Sequence, residues 1–352
     1  MRVGLDLSKL GAADGLGTFT REAFGSLAGM AGAEIELLGY DLLGEARGWL
    51  PGVGHGCSPA GDRLDAFVAA SFVAPRLAPG TRLLFVVYDL TFLTLPHCHT
   101  PQNRLHCLDG LIGALAAGGE LPAISRSGAA ELGALLGRPA ESFPVLPLAP
   151  APDFRQLPAA EISRLLAPLG LEPGRYLLSV GSLEPRKNLA VLLAAHRALP
   201  AELGRTFPLV LAGSPGWKNA ALAAEIEAAQ ASGRVRRLGR VERETLVALY
   251  NGAAVFAYPS LAEGYGLPVV EAMACGAPVL TSTVSALPET AGGAARLVDP
   301  DDPSALTAAL AELLGSPEER RRLASLGLAR VAGLSFTATA SVLLDLITRN
   351  SP

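Results

Sequence analysis

The chain has 352 residues, half of them apolar, and a formal net charge of −4 at pH 7. Because single hydrophobic cores rarely grow beyond about 250–300 residues, this length predicts two domains. The small negative charge provides no general basic field, which argues against functions that depend on nucleic acid or anionic lipid.

Short apolar runs alternate with alanine- and leucine-rich segments along the whole chain, a pattern typical of parallel sheets with crossover helices. The predicted strands of the first half are 2–6, 34–39, 65–69, 82–87, 122–125 and 144–148. Those of the second half are 176–181, 209–213, 235–239, 255–258, 278–281 and 295–298. Each half is therefore predicted to be a Rossmann-type unit.

The remaining segments complete this organisation. The stretch 147–158 contains four prolines and is predicted to link the two domains. Helices are predicted over 306–314 and 316–332, and a final helix with one apolar side over 336–349.

Several features bear on the compartment. Charged residues come early in the chain, so the start lacks a signal peptide's apolar core. The spacing of the four cysteines suggests no disulfide framework, and we identify no run of about twenty apolar residues that could span a bilayer. We expect a cytoplasmic protein with at most peripheral contact at the inner face of a membrane.

The segment from Glu263 to Gly276 carries the clearest chemical pattern. It places Glu263 in a glycine-rich loop, Pro268 at a helix start and Glu271 one turn inside that helix. Proline is tolerated in the first helical turn, and the loop glycines let a ligand approach the backbone. A helix N-terminus at such a loop binds phosphate, whereas the two acids suit hydroxyls. The pattern therefore indicates a ligand that is part sugar and part phosphate.

Two other interpretations of this segment are open. One is a glycine turn followed by a helix whose Glu271 offsets the macrodipole. The other is a glycoside hydrolase, which needs two acids about 5–9.5 Å apart. Eight helical residues would separate the two backbone positions by about 12 Å, which favours two contacts along an extended ligand over a hydrolytic pair.

The segment resembles the Glu-x7-Glu signature of retaining GT-B glycosyltransferases, the large family 4 or "glycosyl transferases group 1", which includes bacterial mannosyltransferases. Further stretches resemble this family's landmarks in family order, namely 180–189, which contains Glu-Pro-Arg-Lys-Asn, and 256–261, 277–282, 287–293 and 297–300. The resemblance implies an α/β fold with two Rossmann-like domains facing across a cleft. We expect domains over 1–155 and 156–335, with a C-terminal helix over 336–352 that packs on the first domain.

The resemblance also implies roles for residues of the second domain. Arg186 and Lys187 would neutralise the departing diphosphate, and Glu263 would lie beside the donor sugar. Glu271 would accept hydrogen bonds from the ribose hydroxyls. The donor's oxygens would contact the backbone of four successive residues, Gly264, Tyr265, Gly266 and Leu267. Without the family match, a basic pair that caps a loop explains Arg186 and Lys187 equally simply.

Two departures from the family pattern are visible. Many relatives have an arginine where this chain has Ser182, and Arg186 is expected to substitute for it. Relatives often have His-Asp-Leu where this chain reads Tyr88-Asp89-Leu90. Tyr88 can donate a hydrogen bond to the donor, but its ordinary pKa near 10 makes it a poor proton carrier.

In the first domain, the loop 14–18 resembles the family's glycine loop. Gly15 and Gly17 are therefore expected to line the donor site, although an ordinary βα turn explains them too. The His and Cys residues over 97–107 suggest zinc, but their spacing completes no tetrahedral set. We find no acidic metal-binding dyad and expect neither a metal nor another cofactor.

The sequence thus predicts a metal-independent retaining glycosyltransferase. The expected donor is a nucleotide diphosphate sugar, with GDP-mannose first and UDP- or dTDP-sugars as alternatives. The expected acceptor is a glycan or a lipid-linked saccharide, and no nucleic acid is expected as a partner. A second hypothesis is a catalytically impaired nucleotide-sugar-binding or scaffolding subunit, because Tyr88 lies where relatives often have a histidine. An epimerase or phosphorylase on the same fold is a third.

Overall fold

A computed structural model describes residues 1–349 of the chain. It contains two compact units. The first comprises Met1–Ala151 and the C-terminal segment that begins at Leu334, and the second comprises Pro152–Gly333. Residues 350–352 of the helix expected over 336–352 lie outside the described residues.

The first unit is built on a parallel five-stranded sheet. Its strands are β1 (Arg2–Asp6), β2 (Glu36–Tyr40), β3 (Gly54–His55), β4 (Ala66–Ala69) and β5 (Arg82–Phe85). They lie in the order β3-β2-β1-β4-β5, so the order reverses between β1 and β4. β4 is buried along its whole length, as expected for a parallel strand covered on both faces.

Five α-helices belong to the first unit within residues 1–349. They are α1 (Gly15–Met30), α2 (Thr91–Thr94), α3 (Pro101–Ala116), α4 (Arg126–Leu136) and α14 (Phe336–Thr348). α14 packs against α1, and the guanidinium of Arg82 donates to carbonyls at the end of α14, those of Leu346 and Ile347 among them. A cation at a helix C-terminus is favourable because it meets the negative end of the helix dipole.

The second unit is built on a parallel six-stranded sheet. Its strands are β6 (Leu177–Val180), β7 (Leu209–Ala212), β8 (Val235–Gly239), β9 (Val255–Tyr258), β10 (Val279–Ser282) and β11 (Arg296–Val298). They lie in the order β11-β10-β9-β6-β7-β8. The order reverses between β6 and β9, and ligands of such sheets bind outside the carboxyl ends of the strands at this switch point.

Nine helices belong to the second unit. They are α5 (Ala159–Leu166), α6 (Leu189–Ala198), α7 (Ala201–Thr206), α8 (Ala220–Ala231), α9 (Arg243–Gly252), α10 (Leu267–Ala274), α11 (Leu287–Ala291), α12 (Pro303–Gly315) and α13 (Pro317–Val331) among the described residues. Side-chain oxygens of Asp302 and Ser316 cap α12 and α13 at their N-termini, which explains why these two helices begin where they do.

Two predicted strands of the first half are wrong. The segments 122–125 and 144–148 form only isolated parallel bridges, at Val87–Ala123 and Ala123–Val145. Each segment begins with a proline, which has no N–H to donate to a ladder. The short strand β3 was not predicted, since it has only two residues.

The prediction that no segment could span a membrane requires a correction. A segment within Pro317–Thr348 is long and apolar enough to do so by length and composition. In the structure this segment consists of α13 and α14, separated by residues 332–335. α14 buries Leu343, Leu346 and Ile347 in the core of its unit. A core helix of a soluble protein passes the same test of length and composition.

Candidate functional site

Two cations and a carboxylate meet at the switch point of the second sheet. After β6, a 3-10 turn over Pro185–Lys187 presents Arg186 and Lys187. After β9, the chain reaches Glu263, whose carboxylate accepts from Arg186 Nη1 at 2.6 Å and from Lys187 Nζ at 2.7 Å. The structure therefore brings together the three residues that the sequence predicted to carry the chemistry.

Two further side chains complete this cluster. Arg186 Nη2 donates to Glu184 Oε1 at 2.8 Å, and Lys187 Nζ lies 2.5 Å from the hydroxyl of Tyr258. The four charged side chains are each at most 15% exposed. Two cations and two carboxylates give the cluster no net formal charge, so an anionic ligand must compete for cations that are already paired.

Electrostatics keep Glu263 ionised. Burial by itself would raise the pKa of Glu263, but Arg186 and Lys187 outweigh it and hold that pKa at about 2. Burial also lowers the pKa of Lys187, while the charge of Glu263 opposes this shift. Each partner therefore maintains the charge of the other in a site that is screened from water.

The loop that carries Glu263 is braced by the segment that follows β10. Ser285 Oγ accepts a hydrogen bond from Glu263 N at 2.8 Å, and Thr290 Oγ1 donates to the carbonyl of Tyr265 at 2.5 Å. Gly266 has a φ of +96°, and a Cβ there would lie 2.8 Å from Leu287 Cδ2. The glycine is needed for its backbone conformation, whereas a shift at the end of the Leu287 side chain can relieve the contact with a Cβ.

Two helices begin at the same edge of the sheet, α6 after β6 and α10 after β9. Within residues 1–349, neither helix has a side-chain cap at its N-cap residue, which is Asn188 for α6 and Gly266 for α10. N–H groups in the first turn of a helix have no intrahelical partner, and the helix dipole favours negative charge there. The edge is therefore suited to an anion, in addition to the two cations.

Glu271 lies one turn inside α10 in a different environment. It is buried, and the hydroxyl of Tyr250 donates to its Oε2 at 3.3 Å. Burial raises the pKa of Glu271 to about 7, while Arg243 and Tyr250 act in the opposite direction. The two glutamates of one motif thus have opposite shifts, one fixed as a carboxylate and one that titrates near neutral pH.

Aromatic rings connect these two environments. Tyr250 contacts Phe256 with ring centroids 5.2 Å apart, and Phe256 stacks on Tyr258 at 5.7 Å. Tyr250 donates to Glu271, and Tyr258 contacts Lys187. The Glu271 pocket and the cation cluster are therefore joined through three packed rings within one unit.

We expect Glu271→Gln to stabilise the free protein in a pH-dependent manner. Because the folded-state pKa of about 7 lies above the ordinary value of 4.5, ionising Glu271 destabilises the fold as the pH rises between these values. The variant should gain up to about 3 kcal/mol in free energy of unfolding at pH 8 and nothing below about pH 4.5. Urea unfolding at both pH values measures this.

Glu225→Gln on the exposed surface of α8 is the control and should leave both unfolding curves unchanged. A Glu271→Gln variant without added stability at pH 8 would contradict the raised pKa of this buried carboxyl group.

Comparison with known proteins identifies the family. The model of the family "Glycosyl transferases group 1" matches residues 166–328. O-antigen chain mannosyltransferase B of Escherichia coli is 34% identical over 256 residues, which cover 72% of this chain and 67% of the relative. The chain belongs to the glycosyl transferases group 1 family. It is a glycosyltransferase, as predicted.

Other similarities extend over different shares of the chain. The serotype-specific mannosyltransferase WbdA of Escherichia coli is 35% identical over 181 residues, or 50% of this chain but only 22% of WbdA. The crystal structure of WaaG, a glycosyltransferase involved in lipopolysaccharide biosynthesis, has a TM-score of 0.74 at 17% identity, covering 99% of this chain and all of WaaG. Anabaena HepE in complex with UDP and glucose has a TM-score of 0.73 at 15% identity, covering 99% of each chain. The predicted GT-B fold is confirmed.

In the first unit of this glycosyltransferase, Gly15 and Gly17 open α1. Asp14 caps the helix by accepting from Gly17 N at 3.0 Å. A Cβ on Gly17 would lie 1.9 Å from the carbonyl oxygen of Ala12, a loop carbonyl that also accepts from Arg21 Nη1 at 2.8 Å. Close packing of the loop thus explains Gly17, and its role in lining a ligand stays a prediction.

We expect Gly17→Ala to destabilise the first unit by roughly 1–3 kcal/mol, because the obstacle is a backbone carbonyl rather than a flexible side chain. Gly25→Ala in the same helix is the matched control, since nothing lies within 4 Å of its added methyl group. It should stabilise by about 0.5–1 kcal/mol. Thermal unfolding of both variants measures the difference, and equal stability would contradict the close approach of Ala12.

Tyr88 lies in the core of the first unit. Its hydroxyl donates to the carbonyl of Ala70 at 2.9 Å, and its ring meets those of Phe19 and Phe72, with centroids 5.6 Å away in both cases. Burial raises the pKa of Tyr88 well above its ordinary value. A direct contact between Tyr88 and the donor would require this hydroxyl to leave Ala70.

Internal contacts explain His99, one of the residues that suggested zinc. His99 Nε2 lies 2.9 Å from Thr91 Oγ1, and His99 Nδ1 lies 2.7 Å from Asn103 Oδ1. Cys98 and Cys107 are buried. Over residues 1–349, no group of three or more His, Cys, Asp or Glu side chains is arranged to hold a metal ion.

Sequence reasoning missed Glu184, Tyr258 and Ser285 as members of the site. Glu184 was visible as the first residue of the Glu-Pro-Arg-Lys-Asn motif, and Tyr258 as the last residue of a predicted strand. Ser285 gave no signal, because its contact with Glu263 spans 22 residues of sequence.

Proposed function

We propose that this glycosyltransferase transfers mannose, with retention of configuration and without a metal, from GDP-mannose to a glycan or a lipid-linked saccharide. The names of the Escherichia coli relatives, both mannosyltransferases, support the choice of sugar. The observation that carries the proposal is the pairing of Arg186 and Lys187 with Glu263 at the switch point of the second sheet. We place the activity in the cytoplasm or at the inner membrane face, as part of polysaccharide synthesis.

The proposed donor pose follows from the charges. The diphosphate recruits Arg186 and Lys187 and lies against the uncapped N-termini of α6 and α10, so cations and helix dipoles supply the compensation that a metal provides elsewhere. The ribose hydroxyls donate to Glu271, which lies one turn along α10. These hydrogen bonds favour the carboxylate form, so donor binding should release a proton near neutral pH.

In the proposed reaction, the bond between the anomeric carbon and the diphosphate oxygen breaks, and both electrons leave with the diphosphate. Arg186 and Lys187 stabilise the charge that develops on this leaving group. An acceptor hydroxyl forms the new bond on the same face of the sugar, and its proton passes to the leaving phosphate oxygen. The carboxylate of Glu263 stabilises positive charge on the sugar ring in the transition state.

A second candidate function is binding of the nucleotide sugar without transfer, and the buried Tyr88 favours it. A Tyr88→His variant distinguishes the two candidates. A large gain in transfer would mean that the natural chain is impaired, and unchanged transfer would mean that Tyr88 is a working residue of an active enzyme.

The test of the proposed function begins with a thermal-shift screen of GDP-, UDP- and dTDP-sugars. A ligand at 100 times its dissociation constant stabilises the folded state by about 2.7 kcal/mol. The stabilising donor is then supplied with mannoside acceptors, and the anomeric configuration of the product is read by NMR. Stabilisation by GDP-mannose and an α-mannoside product are expected. A β-linked product, or turnover that is lost with a chelator and restored by a divalent metal, would refute the mechanism.

A further inference from the structure

Asn188 ends the turn that presents the two cations. It follows Lys187 directly and has a φ of +56°, in the left-handed region that is uncommon for residues other than glycine. Within residues 1–349, four non-glycine residues have a positive φ, and two of them, Asn188 and Ser285, lie in loops of the candidate site. Such conformations cluster at functional sites, where the surrounding structure holds them in place.

The Asn188 side chain bonds to a distant loop. Asparagine at a helix start commonly caps the helix by accepting from an N–H of the first turn, but in the described part of the chain Asn188 makes no such bond to α6. Instead, its Nδ2 donates to the carbonyl of Pro300 at 2.8 Å, across 112 residues of sequence. Because Pro300 lies two residues after β11, this bond joins the loops that follow β6 and β11. The first-turn N–H groups of α6 are left available to an anion.

The backbones of the two cations are held in different ways. The carbonyl of Arg186 accepts from Leu261 N at 2.8 Å, so the loop after β9 holds this residue directly. Lys187 N donates at 3.1 Å to the carbonyl of Glu184, which belongs to the same turn. The next residue, Asn188, adds the bond to a distant loop that a bond within the turn does not provide.

We propose that Asn188 is a positioning residue for Lys187, whose left-handed backbone and bond to Pro300 fix the point from which the ammonium reaches a nucleotide diphosphate. The inference rests on the proposed function, because the diphosphate is the ligand that Lys187 would engage. Lysine has a flexible side chain that loses rotamer freedom when it is ordered. A turn that is already fixed therefore reduces the ordering that binding requires.

The test begins with Asn188→Gly, which removes the bond to Pro300 but keeps the left-handed backbone, since glycine adopts it without strain. The variant is titrated calorimetrically with GDP, UDP or dTDP, whichever of the three the natural chain binds most tightly. Its affinity should fall about tenfold, because the turn must then be ordered on binding.

The matched control is Asn251→Ala. The Asn251 side chain also donates to a distant carbonyl, that of Arg155 at 2.9 Å. It lies near the C-terminus of α9, which leads into the start of β9 and thus lies at the opposite edge of the sheet. This variant should lose stability and retain its affinity for the diphosphate.

A double-mutant cycle separates positioning from a merely structural role. In a Lys187→Ala background, Asn188→Gly should lower the affinity by no more than about twofold, because the group that Asn188 positions is gone. A further loss of about tenfold in this background, unchanged affinity in Asn188→Gly alone, or an equal loss of affinity in Asn251→Ala would overturn the inference and leave the donor site in place. A natural chain that binds none of the three diphosphates would instead refute the proposed function, before any variant is compared.

Discussion

Glu263→Gln should lower the free energy of unfolding by about 3–5 kcal/mol at pH 7 and abolish transfer. The substitution leaves Arg186 and Lys187 buried without the carboxylate that both contact at 2.6–2.7 Å, and breaking a buried pair in this way is strongly destabilising. Because the pKa of Glu263 is held at about 2, its stabilising contribution is fully present above about pH 4.5 and is lost as the pH falls toward 2. Urea unfolding between pH 3 and 7 measures the loss of stability and its pH dependence, and an initial-rate assay measures the loss of transfer.

The matched control for this prediction is Glu319→Gln, which removes an exposed ion pair with Arg322 at 2.7 Å. Exposed pairs contribute at most about 1 kcal/mol, so this variant should remain near the stability of the natural chain. Nucleotide diphosphate should still bind the Glu263→Gln variant, because the cluster gains one positive charge. If the variant unfolds like the natural chain, the buried cluster does not exist in solution.

Lys187→Ala should reduce kcat by about 10²–10³-fold, the usual effect of removing one preorganised group from a developing negative charge. Lys187→Arg should also lose activity, because a planar guanidinium cannot replace a compact ammonium that fits between Glu263 and Tyr258. Initial rates at saturating donor measure both variants.

Arg175→Ala is the control for the lysine variants. Arg175 lies in the same unit, just before β6 and thus at the opposite end of that strand, in an exposed pair with Glu172. Its kcat should equal that of the natural chain. A Lys187→Ala variant with undiminished kcat would show that this ammonium does not act on the leaving group.

Most strands of the second unit could be predicted because they are short apolar runs, although β8 contains two arginines. β8 and β9 begin and end where the sequence indicates, and β6, β7, β10 and β11 differ by one or two residues. The segments 122–125 and 144–148 have a similar apolar character but begin with proline. They show that apolar composition alone does not predict whether a segment forms the continuous hydrogen-bond ladder of a strand.

The candidate site was predictable in its residue types but not in its pairings. The motif indicates that Glu263 and Glu271 matter, yet nothing in the sequence predicts their opposite pKa shifts. These depend on which neighbours the fold supplies, two cations for one carboxylate and an apolar pocket with Tyr250 for the other. Likewise, Gly17 belongs to a ligand-loop motif, whereas its tightest constraint is the carbonyl of Ala12.

A crystal structure of the protein with GDP-mannose tests the central claim most directly. The account predicts diphosphate oxygens within hydrogen-bond distance of Arg186 and Lys187, and ribose hydroxyls on Glu271. A diphosphate bound elsewhere, with both cations still held by Glu263 and Glu271 still paired only with Tyr250, would contradict it.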